Sequence, residues 1–208
     1  LATSLGFAKV SQLKLAVVKE IRDYVGGGGF MFAMCSATDS YDIALAAEGV
    51  DICAEVFDGD AQDPQAQSKL DFSKCFAFKD FKLVTNPMEY EFSTIDHRDR
   101  DPIPTMLTQC HTTTVKGFMG QTTAFDKNYI KSDVLILGEN KPEHEVRYIH
   151  STFGFGTWTF YGGHDPEDYR HYVTDPDTDL NLPPNSPGYR LILNNILFPA
   201  AEKKKRKT

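Results

Sequence analysis

The chain has 208 residues, of which 41% are hydrophobic and 25% charged, and its formal net charge is −7. This composition is ordinary for a globular protein with one well-filled core or one large domain with an insertion. Five of the 22 positive residues lie in the terminal run Lys203–Lys207, so the rest of the chain is more acidic than the total. An acidic body argues against nucleic acid as a partner, and we interpret 203–208 as a solvated basic tail.

The cysteine pattern and the hydropathy exclude several further classes. None of the four cysteines forms a C-x-x-C pair, so neither a zinc site nor a thioredoxin-type redox motif is predicted. Four cysteines are also too sparse for a disulfide scaffold. No apolar run approaches the ~20 residues that a membrane-spanning helix needs. We therefore predict no metal, no cofactor and no transmembrane segment, and the oligomeric state stays open.

The first predicted elements are a helix and a strand. Apolar residues at spacings of three and four predict a helix over 9–25 with one face against a core. The residues assigned to this face are Val10, Leu13, Val17, Ile21 and Tyr24, and Val18 and Val25 widen the apolar stripe. Gly26–Gly29 stop the helix, because glycine caps a helix in the left-handed conformation without a Cβ penalty. Phe30–Met34 is apolar without alternation, as expected for a strand in the middle of a parallel sheet.

A second helix follows the strand after a short turn. It is predicted over Tyr41–Glu48, with its N-cap at Asp39 or Ser40. Helix, strand, sharp turn and helix in succession form the pattern of a doubly wound α/β protein. We therefore predict an α/β fold with a mainly parallel sheet.

The middle of the chain, 51–125, carries weaker patterns. Three strands are predicted in or next to it, over Val50–Phe57, Phe76–Val84 and Tyr90–Ile95. Asp58–Gln67 is polar, and Asp96–Pro104 is dense in charge and proline, so both are predicted to be loops. We interpret 58–125 as an insertion or an elaborated edge of the domain.

The last third of the chain has clearer strand and helix signals. Three strands are predicted, over Asp133–Leu137, Val146–His150 and Thr157–Tyr161. Glycines in Phe153–Gly156 predict a hairpin between the last two strands. Ser186 as N-cap and Pro187 at the first helical position predict a final helix, Gly188–Leu197. We assign 1–202 to a single domain.

Cys35 stands where the first predicted strand turns into the next helix. Such a turn holds its central residue in strained geometry and requires small residues two positions away, here Ala33 and Ala37. The positive end of the helix dipole favours the thiolate, which is the nucleophilic form of cysteine. The backbone N–H groups of Ser36 and Gly29 are candidate oxyanion donors. The alternative is that Cys35 is an inert packing residue.

His164 is the best candidate for a proton partner of Cys35. It follows the end of a strand and two glycines, which let the backbone lie close to a neighbour. Asp165 or Glu167 is near enough in sequence to orient the imidazole and complete a Cys–His–carboxylate arrangement. The residues themselves do not decide between these two acids. The alternative for His164 is an ordinary surface turn.

Two segments carry a resemblance to a known superfamily. Gly27–Ser36 (GGGFMFAMCS) resembles the class I glutamine amidotransferase-like superfamily, in particular its trehalose-utilisation-type members. Thr159–Glu167 (TFYGGHDPE) is similar to the strand and His-Pro-Glu motif of the amidotransferase triad. Two departures are visible: alanines stand where the superfamily usually has glycines beside the cysteine, and an aspartate separates histidine from proline.

Most of the chain resembles, more closely, a bacterial family commonly labelled asparagine synthetase B-like. The shared stretches are Gly28–Ile52, Phe118–Ala124, Thr159–Pro166 and Ser186–Ala200. The synthetase activity in that label has no support in the sequence. We find neither a Ser-Gly-Gly-x-Asp-Ser loop that would bind ATP pyrophosphate nor an N-terminal nucleophilic cysteine.

The resemblance implies a flavodoxin-like fold and a cysteine-dependent reaction on an amide or related acyl bond. It implies a small-molecule or carbohydrate ligand. It also implies a signal peptide and an N-terminal half, hence export to the periplasm or cell envelope, and we expect this chain to be the C-terminal part of a longer protein. The second hypothesis is a catalytically inactive binding module that holds a carbohydrate or peptide on the same scaffold.

Overall fold

The computed structural model of the protein describes residues 1–96, 122, 124–163, 186–197 and 199, and only the backbone of 105–107, 114–115, 118–119 and 165–166. The helices are α1 (Val10–Gly26), α2 (Ser36–Ala46), the short α3 (Glu55–Asp58) and α4 (Ala66–Lys69), and α5 (Pro187–Leu197). The strands are β1 (Phe30–Met34), β2 (Thr105–Leu107), β3 (Thr114–Val115), β4 (Phe118–Met119), β5 (Phe125–Asp126), β6 (Leu135–Asn140), β7 (Glu145–Phe153), β8 (Gly156–Tyr161) and β9 (Asp165–Pro166).

The predicted first helix forms as α1, but its buried side is rotated relative to the prediction. Val18, Ile21 and Val25 pack on the core. Val10, Val17 and Tyr24, which we assigned to the buried side, are exposed by 50%, 51% and 62%. The apolar stripe on this helix is wide, and its centre lies one residue further along than the spacing of three and four indicated.

The sheet is mixed and mostly antiparallel, which corrects the prediction of a mainly parallel sheet for the described residues. Its order is β1-β8-β7-β6-β2-β3, with β5 also paired to β7. Only β1 and β8 run parallel among these pairs. Short turns join β6 to β7 and β7 to β8, and such turns allow only antiparallel pairing. β1 lies at one edge of this described sheet, where the sequence predicted a central strand.

The sheet separates two core clusters, and helices cover both of its faces. On one face, Trp158 and Phe160 of β8 pack with residues of α1 and α2. On the other face, Tyr161 packs with Phe32 of β1 and Leu191 of α5. Successive residues of β1 therefore contact opposite clusters, which explains why this strand is apolar without alternation. The aromatic residues at the end of β8 belong to the core.

The last helix follows the prediction closely. α5 begins at Pro187, and the Ser186 hydroxyl accepts a hydrogen bond from the Tyr189 N–H at 3.2 Å. That bond satisfies one of the first-turn donors that have no acceptor inside the helix. The hairpin also forms as predicted, with Gly154 at φ +58° between β7 and β8.

Residues 50–96 lack the strands that the sequence predicted there. Val50–Phe57 runs into the short helix α3, and the two later segments contribute only isolated bridges, Phe78 to Ile130 and Leu83 to Ser93. A buried carboxylate explains part of this difference. Asp42 of α2 accepts hydrogen bonds from the N–H groups of Phe76, Ala77 and Phe78 at 2.8, 2.7 and 2.9 Å. These donors are therefore used by a helix side chain and not by a neighbouring strand.

We expect Asp42→Asn to lower the free energy of unfolding by about 2–3 kcal/mol, because an amide places an N–H donor against a backbone N–H in a site that offers no water. Urea unfolding followed by circular dichroism measures this loss. Asp23→Asn is the matched control, since the Asp23 side chain on α1 is 65% exposed, and it should change stability by no more than about 0.5 kcal/mol. Equal effects of the two substitutions would contradict the role of Asp42.

Candidate functional site

Cys35 connects β1 to α2 in a strained backbone conformation. Its φ is 54° and its ψ is −139°. A positive φ is unfavourable for a residue with a Cβ, and a side chain held there costs about 1–3 kcal/mol that the surrounding structure must offset. Glycine would adopt this geometry without cost, yet the sequence places a cysteine there. Strain of this kind at a strand-to-helix turn is typical of positions that present a side chain for chemistry.

Three hydrogen bonds hold the Cys35 backbone. Its N–H donates to the Tyr161 carbonyl at the end of β8, at 3.0 Å. Its carbonyl accepts from the Thr38 N–H at 3.1 Å and from the Thr38 hydroxyl at 2.6 Å. Thr38 is fully buried, so this double contact is shielded from water. The sequence analysis missed Thr38, although a threonine three residues after a sharp turn is a recognisable signal for such a local cap.

The Cys35 side chain is half-buried, whereas the other described cysteines lie in less favourable surroundings. Burial raises the pKa of Cys75, which is 5% exposed. Burial and the charge of Asp58 raise the pKa of Cys53. Cys110 lies outside the described residues. Ser36 begins α2, and an N–H in the first turn of a helix has no acceptor inside that helix, so its donor remains a candidate for an oxyanion.

The pairing of β1 with β8 brings the predicted histidine segment toward Cys35. Met34, the last residue of β1, pairs with Tyr161, the last residue of β8. The chain then continues through Gly162 and Gly163 into position 164. His164 and Glu167 lie outside the described residues, as does the side chain of Asp165, whose backbone belongs to β9.

A second segment runs beside this one. β4 pairs with β9, so Phe118 lies opposite Pro166 and Met119 opposite Asp165. A little further along, the Thr122 carbonyl accepts a hydrogen bond from the Gly163 N–H at 2.7 Å. The described backbone on either side of position 164 is therefore paired with the same neighbouring segment, Gly163 with Thr122 and β9 with β4.

Asp39 is the buried carboxylic acid nearest in sequence to Cys35. It lies one helical turn further along α2 and has no exposed surface. Its Oδ1 accepts a hydrogen bond from the Thr122 hydroxyl at 3.1 Å. Burial raises its pKa to about 7; the bond from Thr122 opposes the rise, and the charge of Cys35 adds to it. The sequence analysis treated Asp39 as a possible N-cap, and this is wrong, because α2 begins at Ser36 and Cys35 holds the cap position.

Gly29 does not join Cys35 in the structure. It lies at the opposite end of the five-residue strand β1, which places it about 20 Å away along the strand. Its N–H donates to the Tyr24 carbonyl at 2.9 Å. A Cβ at position 29 would lie 2.4 Å from the exposed Tyr24 ring, so a side chain there would displace that ring. The structure does not place Gly29 as an oxyanion donor for Cys35.

The described residues contain neither a metal-binding cluster nor a membrane-spanning helix. No group of three or more His, Cys, Asp or Glu side chains is arranged there to hold a metal ion. None of the helices described combines the length and the apolar character required to cross a bilayer.

Comparison with known proteins gives no relative for this chain: no family model, no curated protein and no solved structure matches it. The site therefore has to be judged on its own geometry.

The strain at Cys35 predicts the sign of the stability difference between glycine and alanine at this position. Glycine normally destabilises a helix or strand relative to alanine by about 0.5–1 kcal/mol. At position 35 we expect the reverse: Cys35→Gly should be more stable than Cys35→Ala by about 1 kcal/mol, because alanine keeps the strain. Urea unfolding of both variants measures the difference.

Ala37→Gly is the control, because Ala37 occupies an exposed position in the first turn of α2. It should show the ordinary loss of about 0.5–1 kcal/mol. A Cys35→Gly variant less stable than Cys35→Ala would mean that the backbone at this position is relaxed.

Proposed function

We propose that the protein is a cysteine-dependent amidohydrolase or amidotransferase-like protein, with Cys35 as the nucleophile that attacks an amide or related acyl carbon. The observation that carries this proposal is the positive φ of Cys35 at the junction of β1 and α2. A cysteine at the start of a helix lies beside the N–H groups of the first turn and the positive end of the helix dipole. Those are the conditions that favour a nucleophilic thiolate.

The proposed reaction proceeds through a thioester. The Cys35 sulfur adds to the acyl carbon, and the Ser36 N–H stabilises the negative charge that forms on the carbonyl oxygen. The C–N bond then breaks, and the amine leaves with a proton supplied by His164. Water, deprotonated by the same imidazole, hydrolyses the thioester and restores the thiol. Asp165 or Glu167 orients the imidazole in this scheme.

The position of β8 supports the choice of His164. Because β1 and β8 are parallel neighbours in register, their carboxyl ends meet at the same edge of the sheet. Residues that follow two such strands lie close together. Position 164 follows β8 by two glycines, and Cys35 follows β1 directly.

We further propose that β1 pairs on its other side with further parallel strands, so that this part of the sheet extends into a doubly wound arrangement of the flavodoxin type. Three features support this: the parallel pairing with β8, the apolar contacts of β1 on both faces, and the absence of a described strand on its other side. An edge strand usually carries a charge or a proline that discourages further pairing, and FMFAM carries neither.

We also propose export to the cell envelope, and the resemblance to the bacterial family is the support for this location.

The proposal predicts selective alkylation of Cys35. Iodoacetamide at neutral pH should modify Cys35 about ten times faster than Cys53, Cys75 or Cys110, as followed by mass spectrometry of the peptides. His164→Asn should slow the reaction at Cys35 alone, because the imidazole stabilises the thiolate. In urea all four cysteines should react at similar rates, which controls for peptide recovery.

Two results would count against catalysis. One is equal labelling of the four cysteines in the native protein, and the other is protection of Cys35. An unreactive Cys35 whose alkylation rate does not change in His164→Asn would favour the non-catalytic module that binds a carbohydrate or peptide.

A further inference from the structure

Only one of the two carboxylate oxygens of Asp39 has a side-chain partner among the described residues. Its Oδ1 accepts the hydrogen bond from Thr122, while its Oδ2 is buried and meets no hydrogen-bond partner within the part of the chain that the structure describes. A buried polar atom without a partner carries an unfavourable desolvation cost, and native structures hold such atoms chiefly where they serve a purpose. The contrast with Asp42, three residues further along α2, is informative, because both oxygens of that buried carboxylate have backbone donors.

The location of Asp39 links the two parts of the proposed site. Asp39 lies in the first turn of α2, four residues after the cap residue Cys35, and its pKa responds to the charge of Cys35. Through its Oδ1 it binds the Thr122 side chain, and the carbonyl of Thr122 binds the Gly163 N–H. A single buried side chain therefore connects the helix that presents the sulfur to the residue that precedes His164.

We propose that Asp39 is a positioning residue of the Cys35 site, which anchors the segment after β8 through Thr122 and sets, by its own charge, the pH at which Cys35 becomes a nucleophile. The proposal rests on the role of Cys35 as the nucleophile.

The charge argument follows from burial. An ionised Asp39 and a Cys35 thiolate repel each other, and this disfavours the thiolate. The effect of Cys35 on the pKa of Asp39 indicates this interaction. Asp42, the other buried carboxylate of α2, accepts hydrogen bonds from the backbone of 76–78, and Glu145 of β7 accepts one from Arg147 at 3.0 Å. Because the pKa of Asp39 lies at about 7, its charge changes near neutral pH, and it delays thiolate formation as the pH rises.

Two substitutions separate the charge from the anchor. Asp39→Asn removes the charge and keeps the Oδ1 acceptor for Thr122. Thr122→Val keeps the carboxylate and removes the hydrogen bond. Two measurements report the titration of Cys35: the rate of its alkylation by iodoacetamide as a function of pH, and its thiolate absorbance. The absorbance of each protein is compared with that of the same protein carrying Cys35→Ala. Hydrogen exchange at the Gly163 amide reports the anchor.

For Asp39→Asn we expect the pH midpoint of the Cys35 profile to fall by roughly half to one unit, with exchange at Gly163 unchanged. For Thr122→Val we expect exchange at Gly163 to rise by about tenfold, because the anchor of its acceptor is lost. Ser40→Ala, an exposed change on the same helix, should alter neither readout.

A midpoint that does not move in Asp39→Asn would overturn the charge role, and unchanged exchange in Thr122→Val would overturn the anchor. These outcomes are distinct from failure of the proposed function. If wild-type Cys35 reacts no faster than Cys53, the nucleophile assignment fails, while the thiolate absorbance still reports whether Asp39 controls the titration of Cys35.

Discussion

The site depends on one constraint, the left-handed backbone of Cys35 between β1 and α2. Its N–H is bound by the last residue of β8, and its carbonyl is bound twice by Thr38. These three bonds hold a conformation that a residue with a Cβ does not favour. Because one of them comes from β8, the parallel pairing of β1 with β8 and the strain at Cys35 depend on each other. The same pairing brings the glycines before His164 to the end of β1.

The helix that follows carries two buried carboxylates with different roles. Asp42 is satisfied by three backbone donors and organises the irregular segment over the core. Asp39 accepts a hydrogen bond from Thr122 on one oxygen, its other oxygen has no partner within the described residues, and its pKa responds to the charge of Cys35. Burying a carboxylate oxygen without a partner is unfavourable for stability. The proposed role in tuning the thiol accounts for this unfavourable burial.

Local patterns in the sequence predicted the local parts of the structure. The first helix, β1, the hairpin of β7 and β8, and α5 with its Ser186 cap follow from apolar spacing, glycine and capping residues. Cys35 as the centre of a sharp turn was also predictable, since a strand, small flanking residues and a helix surround it. Longer-range features were not. The missing strands of 50–96 and the burial of Asp39 and Asp42 depend on partners more than 30 residues away. The N-cap prediction failed because the strained Cys35 starts α2 several residues early.

The most direct test is a crystal structure of the protein, unmodified and after reaction with iodoacetamide. The account predicts a positive φ at Cys35, the label on its sulfur, and a ring nitrogen of His164 within about 3.5 Å of that sulfur in the unmodified form. A relaxed backbone at Cys35, with its sulfur enclosed by aliphatic side chains and the His164 ring on another side of the molecule, would contradict it.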